Sequence, residues 1–505
     1  MNYTSDHISY NRMLFDGKAE TSAESEILLP DYFPAIMKII RSEAVPFIRT
    51  RSVYGEKVVA EGNVEFRAAY LSEGGKLSSV FTKVPFSCSI EVKDFDENLP
   101  VHLTAATEYF DVRALSPQKI HVKATAAVYA KVLGCDMLPI LSVCEGAGEV
   151  EIKTKPVSYC KNTCFGRKTL RVSDEMEIVQ KPRAKEILSY YATFTEGEQK
   201  LLQNKIIAKA DMALKVVYYS DTNDSIETFE QKVPISQIID ISDLDEDTLC
   251  NVSFDLADCN MQIKDDEEKS VISYDMEIAV SASGYKTFSA DLIEDAFGVS
   301  KEIECISKTI RTEKALPQNE TVNFNEVVDI GVGNTLYDLN VTPRINRVYF
   351  EKESNSAVIS GVFSCALVFI DSEEEIGTGM RSVPFTMKTE LDNSVADVRG
   401  ELTMAVQSSA FVAVEDNKTE FRVSCLVNGC IFVSEDSEVL SEINVLEEKQ
   451  VNSDRNLVIY FAQKGESIWD IAKKYSASPV SLMEENGIDG EVLAESKTMM
   501  IPIKG

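Results

Sequence analysis

Lys83-Val84-Pro85-Phe86 recurs as Lys232-Val233-Pro234-Ile235 and again as Ser382-Val383-Pro384-Phe385. The three prolines stand 149 and 150 residues apart. A second anchor runs in phase: Pro34 precedes Ile39 by five residues, as Pro182 precedes Ile187 and Pro343 precedes Val348. Apolar runs follow at Val58-Val59-Ala60, Ile206-Ile207-Ala208 and Val358-Ile359-Ser360. Pro34 to Val59 and Pro182 to Ile207 are both 25 residues, whereas Pro343 to Ile359 is 16, which predicts a shorter loop in the third copy. Glu149-Val150-Glu151-Ile152, Glu302-Ile303-Glu304-Cys305 and Glu442-Ile443-Asn444-Val445 supply a third anchor. A period near 150 residues is domain scale rather than solenoid scale. The expected units are 1–165, 166–315 and 316–450, with a fourth domain at 456–505.

Each copy reads as strands. Thr169-Leu170-Arg171-Val172, His121-Val122-Lys123-Ala124, Thr321-Val322-Asn323-Phe324 and Val271–Met276 alternate polar and apolar with period two. Tyr70–Val80, Tyr218–Phe229 and Phe369–Gly379 place polar turn residues between apolar runs, as hairpin tips do. Proline cannot donate to a ladder, so the strand bearing it belongs at an edge or starts at the proline. The fold class expected is mainly β: three tandem β-sandwich-like repeats, with barrel closure as the alternative. Short helices are expected at Pro34–Ile40, Pro182–Ser189 and Leu292–Phe297.

The chain has 505 residues and a net charge of −31. Nucleic acid and anionic membranes want clustered Lys and Arg, which this balance does not offer. The charge is uneven: −3 for 1–165, −12 for 166–315, −14 for 316–455 and −2 for 456–505. Residues 1–30 show no basic start followed by an apolar stretch, and the longest apolar run, Val362–Ile370, is about half of what a membrane span of ~20 residues needs. The expectation is a protein made in the cytoplasm, without membrane insertion. Eleven cysteines without a C-x-x-C pair, and three histidines, point to reduced thiols rather than a metal site.

The last fifty residues change pattern. Val458–Phe461 reads as a strand and Gln463–Glu466 as a turn. Ser467 is placed to cap a helix with Asp470 as capping-box partner. Ile468, Ile471/Ala472 and Tyr475 share one helical face. Ser478-Pro479 starts a second helix and Asn486-Gly487 ends it. Met499–Ile503 closes a β-α-α-β unit. The run Tyr460–Tyr475, with Leu482, Asn486 and Met500-Ile501-Pro502, resembles a LysM module, with Ser496 where that family has glycine. The resemblance implies a ligand groove formed by Gly465, Glu466, Ser467 and Ile468 on one side and Asn486, Gly487 and Ile488 on the other. LysM modules bind N-acetylglucosamine glycans such as peptidoglycan.

Three β-rich repeats followed by one LysM module resemble the clostridial spore-coat morphogenetic proteins of the SipL type, whose repeats are SPOCS domains. That resemblance implies a non-enzymatic scaffold, made in the mother cell and recruited to the forespore surface by the coat-basement morphogenetic ATPase. In that family the LysM module contacts protein, which makes Trp469 and Tyr475, with Ile468, candidates for a partner-contact helix. The alternative is a glycan-binding protein of cortex or wall. No catalytic residues, metal ligands or cofactor are expected. The chain lacks G-x-x-x-x-G-K-[ST] and G-x-S-x-G, and the acidic run Asp243–Asp247 lacks the glycine and final glutamate of a calcium loop.

Overall fold

The computed structural model describes residues 2–502 except 96–98, 146–149, 180, 266–269, 332–333, 371–375, 392–394, 416–417 and 450–456. The first unit has six strands: β1 (Asn2–Leu28), β2 (Ile36–Tyr54), β3 (Lys57–Ser72), β4 (Leu77–Glu91), β5 (Val101–Ser116) and β6 (Lys119–Glu145). They form two antiparallel sheets, β1-β6-β5 and β2-β3-β4. Val58, Ala60, Val64 and Phe66 of β3 face Val122, Ala124, Ala126 and Val128 of β6 across one core. Alternate residues point inward, as period two requires. Each fully buried Val or Phe contributes roughly 1.5–3 kcal/mol.

The arrangement is repeated twice. The second unit holds β7 (Val150–Ile178), β8 (Glu186–Leu202), β9 (Lys205–Ser220), β10 (Ser225–Asp240), β11 (Leu249–Asp265) and β12 (Ser270–Gly298). Its sheets are β11-β12-β7 and β10-β9-β8. The third holds β13 (Lys301–Asp329), β14 (Thr335–Glu351), β15 (Ser356–Ile370), β16 (Ile376–Glu390), β17 (Asp397–Glu415) and β18 (Lys418–Glu448) in sheets β13-β18-β17 and β14-β15-β16. Each unit is thus a two-sheet sandwich. Pro85, Pro234 and Pro384 lie in β4, β10 and β16, all edge strands. The turns at 73–76 and 221–224 are where the hairpins were expected; the tip of the third, 371–375, lies outside the described residues.

Three expectations are corrected. Pro34–Ile40, Pro182–Ser189 and Leu292–Phe297 contain no helix. Each spans a register shift: Ile36/Lys38 and Ile39/Arg41 in β2, Ile187/Ser189 in β8, Ile293/Asp295 in β12. A bulge inserts one residue and breaks the period of two, so the apolar spacing imitates a helix. Unit borders at 165/166 and 315/316 fall inside β7 and β13, which pair along their lengths with β12 and β18. The long first strand therefore goes with the unit that follows it. The third copy was also read out of phase. Pro343 pairs with Phe363 as Pro46 pairs with Val64, so it corresponds to Pro46 rather than Pro34, and no shortened loop is needed. Glu442–Val445 likewise lies at the end of β18 and not at a unit's start.

The three units close on one another. Ile8 and Ile140, Val157 and Leu292, and Ile310 and Val439 form one cluster, two equivalent residues from each unit. Asn11, Cys160 and Glu313 occupy equivalent positions and meet: the Asn11 amide donates to the Cys160 carbonyl and to Glu313, both at 3.4 Å. His102, Asn251 and Glu401 form a second equivalent set, in which Asn251 donates to the Glu401 carbonyl at 3.1 Å. Such meetings of equivalent positions define a pseudo-threefold ring. Each junction carries its own polar bond. Arg67 reaches the Tyr190 carbonyl at 2.6 Å, Lys215 reaches Asp338 at 2.7 Å, and Thr378 reaches the Ile40 carbonyl at 3.0 Å.

Candidate functional site

The C-terminal domain pairs β19 (Leu457–Ala462) with β20 (Lys497–Pro502) and sets α1 (Ile468–Tyr475) and α2 (Pro479–Asn486) between them in sequence. Ile468, Ile471, Ala472, Leu482, Leu493, Met499 and Ile501 fill its core. Ser467 and Ser478 hold the N-cap positions with extended backbone, and neither side chain makes a capping bond, so the expected capping box does not form. Pro479 starts α2, and Gly487 ends it in the left-handed region, φ 58°.

The two predicted sides of the groove are each held by backbone bonds of their own: 465–468 bond to 491–493, while Gly487 and Ile488 N–H bond back to the Glu484 and Met483 carbonyls of α2. The 465–467 turn is tied to the segment before β20: Gly465 N–H donates to the Leu493 carbonyl, Leu493 N–H to the Glu466 carbonyl, and Ile468 N–H to the Glu491 carbonyl, all at 2.9–3.0 Å. Gly465 and Gly487 are exposed, Glu466, Ser467, Asn486 and Ile488 are half-buried, and Ile468 is buried at 1% exposure. Asn486 holds the last strand: its amide donates to the Leu482 and Met500 carbonyls at 2.8 Å and accepts from Met500 N–H at 2.7 Å. Ser496 accepts from the Lys464 N–H at 3.1 Å. Tyr460 O–H donates to Glu466 Oε1 at 3.4 Å, and desolvation together with that carboxylate pushes the phenol pKa up. The other Glu466 oxygen, Oε2, is buried without a partner.

Tyr475 packs against Tyr460, centroids 5.6 Å apart, with Lys474 over both rings. Trp469 faces the second unit. Its indole N–H donates to Asp295 Oδ2 at 2.8 Å, its ring meets Phe297 edge-on at 4.9 Å, and Lys473 reaches both Asp295 oxygens at 2.7 Å. Burial raises the Asp295 pKa, but Lys473 and Trp469 outweigh it and the carboxyl ends below its usual value. Sequence reasoning missed Asp295 and Phe297. It also missed the outer face of the small sheet, where Leu457, Ile459 and Phe461 of β19 and Met500 of β20 stand 49–76% exposed, Ile459 directly opposite Met500. The signal was present as the alternation Leu457-x-Ile459-x-Phe461.

A family model described as SipL, SPOCS domain matches residues 35–115 and 183–264, and one for the LysM domain matches 460–502. The chain carries SipL-type SPOCS domains and a LysM domain. The two SPOCS segments cover β2–β5 and β8–β11, and the third unit of the SPOCS–LysM chain repeats their topology. No curated protein and no solved structure matches the chain. SPOCS and LysM are non-catalytic binding domains, and together they fit a coat-associated sporulation protein carrying a module of the peptidoglycan-binding class. Among the described residues no helix is long and apolar enough to cross a membrane, and no group of three or more His, Cys, Asp or Glu is placed to hold a metal ion. The acidic loop at 243–247 is engaged locally: Asp245 accepts from Thr248 and from Lys286, at 2.8 and 2.5 Å.

Proposed function

We propose that the SPOCS–LysM chain is a non-enzymatic scaffold of spore-coat assembly. It is made in the mother cell and binds the coat-basement morphogenetic ATPase at the forespore surface, with the LysM domain as a protein-contact element. The observation that carries this reading is the exposed apolar stripe Leu457, Ile459, Phe461 and Met500. Clustered apolar side chains of this kind anchor protein interfaces, whereas single exposed ones need no explanation. On the groove side Glu466, Ser467 and Asn486 supply polar groups beside Gly465, Gly487 and the apolar Ile488, and Ile468 lies buried beneath. Tyr475 flanks the same helix.

Glycan binding is the second reading, favoured by the LysM match and by the unpartnered Glu466 Oε2, an acceptor without a donor. The test compares the full chain with one lacking residues 456–505, in pull-downs on the purified ATPase and on insoluble peptidoglycan. Loss of ATPase binding with deletion is expected. ATPase binding retained while peptidoglycan binding disappears overturns the proposal in favour of the glycan reading. A fluorescent fusion that fails to reach the forespore surface overturns the localisation.

A further inference from the structure

The small sheet of the LysM domain has two edges, and they are finished differently. Met500 directs both backbone groups away from β19: its N–H donates to Asn486 Oδ1 at 2.7 Å and its carbonyl accepts from Asn486 Nδ2 at 2.8 Å. Ile459 stands directly opposite Met500, so the two form a pair that is not hydrogen-bonded. The register runs without a shift from Leu457/Pro502 to Ala462/Lys497. Leu457, Ile459 and Phe461 therefore all direct N–H and carbonyl away from β20. On the β20 edge Pro502 has no N–H to offer, Asn486 fills the middle and Lys497 stands at the end. Proline, lysine and a covering group are devices that close a strand edge to other chains. The β19 edge has none of them: Leu457–Ala462 holds no charge and no proline. Among the described residues no backbone group bonds the outward N–H and carbonyl of Ile459 and Phe461.

The same three residues carry exposed apolar side chains, so an added strand meets free donors, free acceptors and apolar contact in one row. The strand that matches this row is β19 itself. Antiparallel pairing about a twofold axis at Ile459 sets each Ile459 against its counterpart and each Leu457 against the Phe461 of the other copy, with both bonds exchanged at every such pair. That register keeps Leu457, Ile459 and Phe461 of both copies on one face. A slip of one residue would set them against Val458 and Tyr460, which pack on the LysM core. Charge favours this end of the molecule. Two chains of net charge −31 repel each other, and residues 456–505 carry only −2 of it.

We propose that β19 is a self-association edge, through which two copies of the chain join their LysM domains into one four-stranded antiparallel sheet. The pairing uses the edge of the strand and not its face. The apolar stripe of Leu457, Ile459, Phe461 and Met500 therefore stays open and runs on from one copy into the other. The proposal goes beyond the ATPase reading and does not depend on it.

Sedimentation velocity of the full chain from about 1 to 100 µM is expected to show a monomer–dimer equilibrium. Ile459→Pro removes the central outward N–H at an edge position where proline is tolerated, and Ile459→Lys adds a guard of the kind β20 has. Each is expected to raise the dimer dissociation constant at least about tenfold. Unchanged emission from Trp469, the only tryptophan, marks a variant as folded, and Ile459→Lys decides if Ile459→Pro does not fold. Ile459→Cys, oxidised with copper phenanthroline, is expected to give a dimer whose linking peptide, mapped by mass, joins position 459 to itself. Hydrogen-bonded pairs set Cα atoms about 5.5 Å apart, within disulfide reach, whereas Leu457→Cys is expected to give no such link. A chain that stays monomeric throughout overturns the proposal, and does so in favour of a partner's strand if Ile459→Lys also loses ATPase binding. A dimer equally strong in both Ile459 variants overturns the edge. A dimer that they weaken but that does not link at 459 overturns the twofold register. A dimer that links at 459 while the chain fails to bind the ATPase upholds the proposal and overturns only the partner reading.

Discussion

Replacing Arg67 by alanine tests what holds the first junction of the ring. Arg67 is 3% exposed and donates to Glu65 Oε1 at 2.8 Å, to the Tyr190 carbonyl of the next unit at 2.6 Å, and lies 3.8 Å over the Tyr190 ring. Burial works against its charge; Tyr190, Glu65 and Glu43 more than offset that, and the guanidinium ends with a pKa above its ordinary value. Glu65 itself is 2% exposed, so the alanine variant leaves a buried carboxylate without its nearest cation. Breaking a buried pair from one side costs about 3–5 kcal/mol, a large share of the ~5–15 kcal/mol that separates folded from unfolded in a typical domain. Lys215→Ala, at the equivalent place in the second junction, is expected to cost less, about 1.5–3 kcal/mol, because Lys215 and Asp338 keep some solvent. Arg67→Met with Glu65→Leu removes both charges and is expected to recover most of the loss. Urea unfolding of the full chain, or the unfolding rate if refolding fails, supplies the numbers. Arg67→Ala within about 1 kcal/mol of wild type, or a double variant as unstable as the single one, refutes the argument.

Gly62→Ala should destabilise by roughly 2–3 kcal/mol, because a Cβ there meets the Phe47 carbonyl at 1.8 Å; a melting curve superposable on wild type contradicts this. The His102 pKa is lowered, first by burial, with Glu401 opposing. A folded-state pKa below the unfolded ~6.5 means its stabilising contribution is complete above that pH and is lost as pH falls through the folded value. His102→Gln should therefore flatten the acid side of the melting temperature profile below about pH 6.5, and an unchanged slope there counts against the assignment. Burial pushes the thiol of Cys160 up to about 11 and those of Cys250 and Cys430 up to about 12, while Cys135 is exposed. Disulfide-exchange labelling of the native chain, mapped by peptide mass, should modify Cys135 long before these three; fast labelling of Cys160 excludes the packing described.

The sandwich class and the edge position of the proline strands were legible because alternation and missing donors are local properties. The LysM element order was legible for the same reason: its turn, its two helices and Asn486-Gly487 lie within fifty residues. The bulged strands were not, since a bulge shifts the apolar period at Ile36–Arg41 or Ile293–Asp295 and only the partner strand reveals it. The phase of the third copy failed because a proline occurs at both Pro34 and Pro46 of the first. Trp469 read as a surface anchor while its acceptor, Asp295, lies 174 residues away in sequence. Nothing within α1 points to it.

The ring's junctions are chemically unlike one another. The strand position that carries Arg67 in the first unit carries Lys215 in the second and Ala366 in the third, as the pairing with Asn63–Pro85, Asp211–Pro234 and Val362–Pro384 fixes. A ring built from three separate identical chains could not distribute three different residues in this way. Because each junction fits only its own neighbour, a unit borrowed from an adjacent molecule in the wrong order leaves a buried arginine or carboxylate unmatched. The divergence of the copies therefore protects crowded chains from exchanging parts.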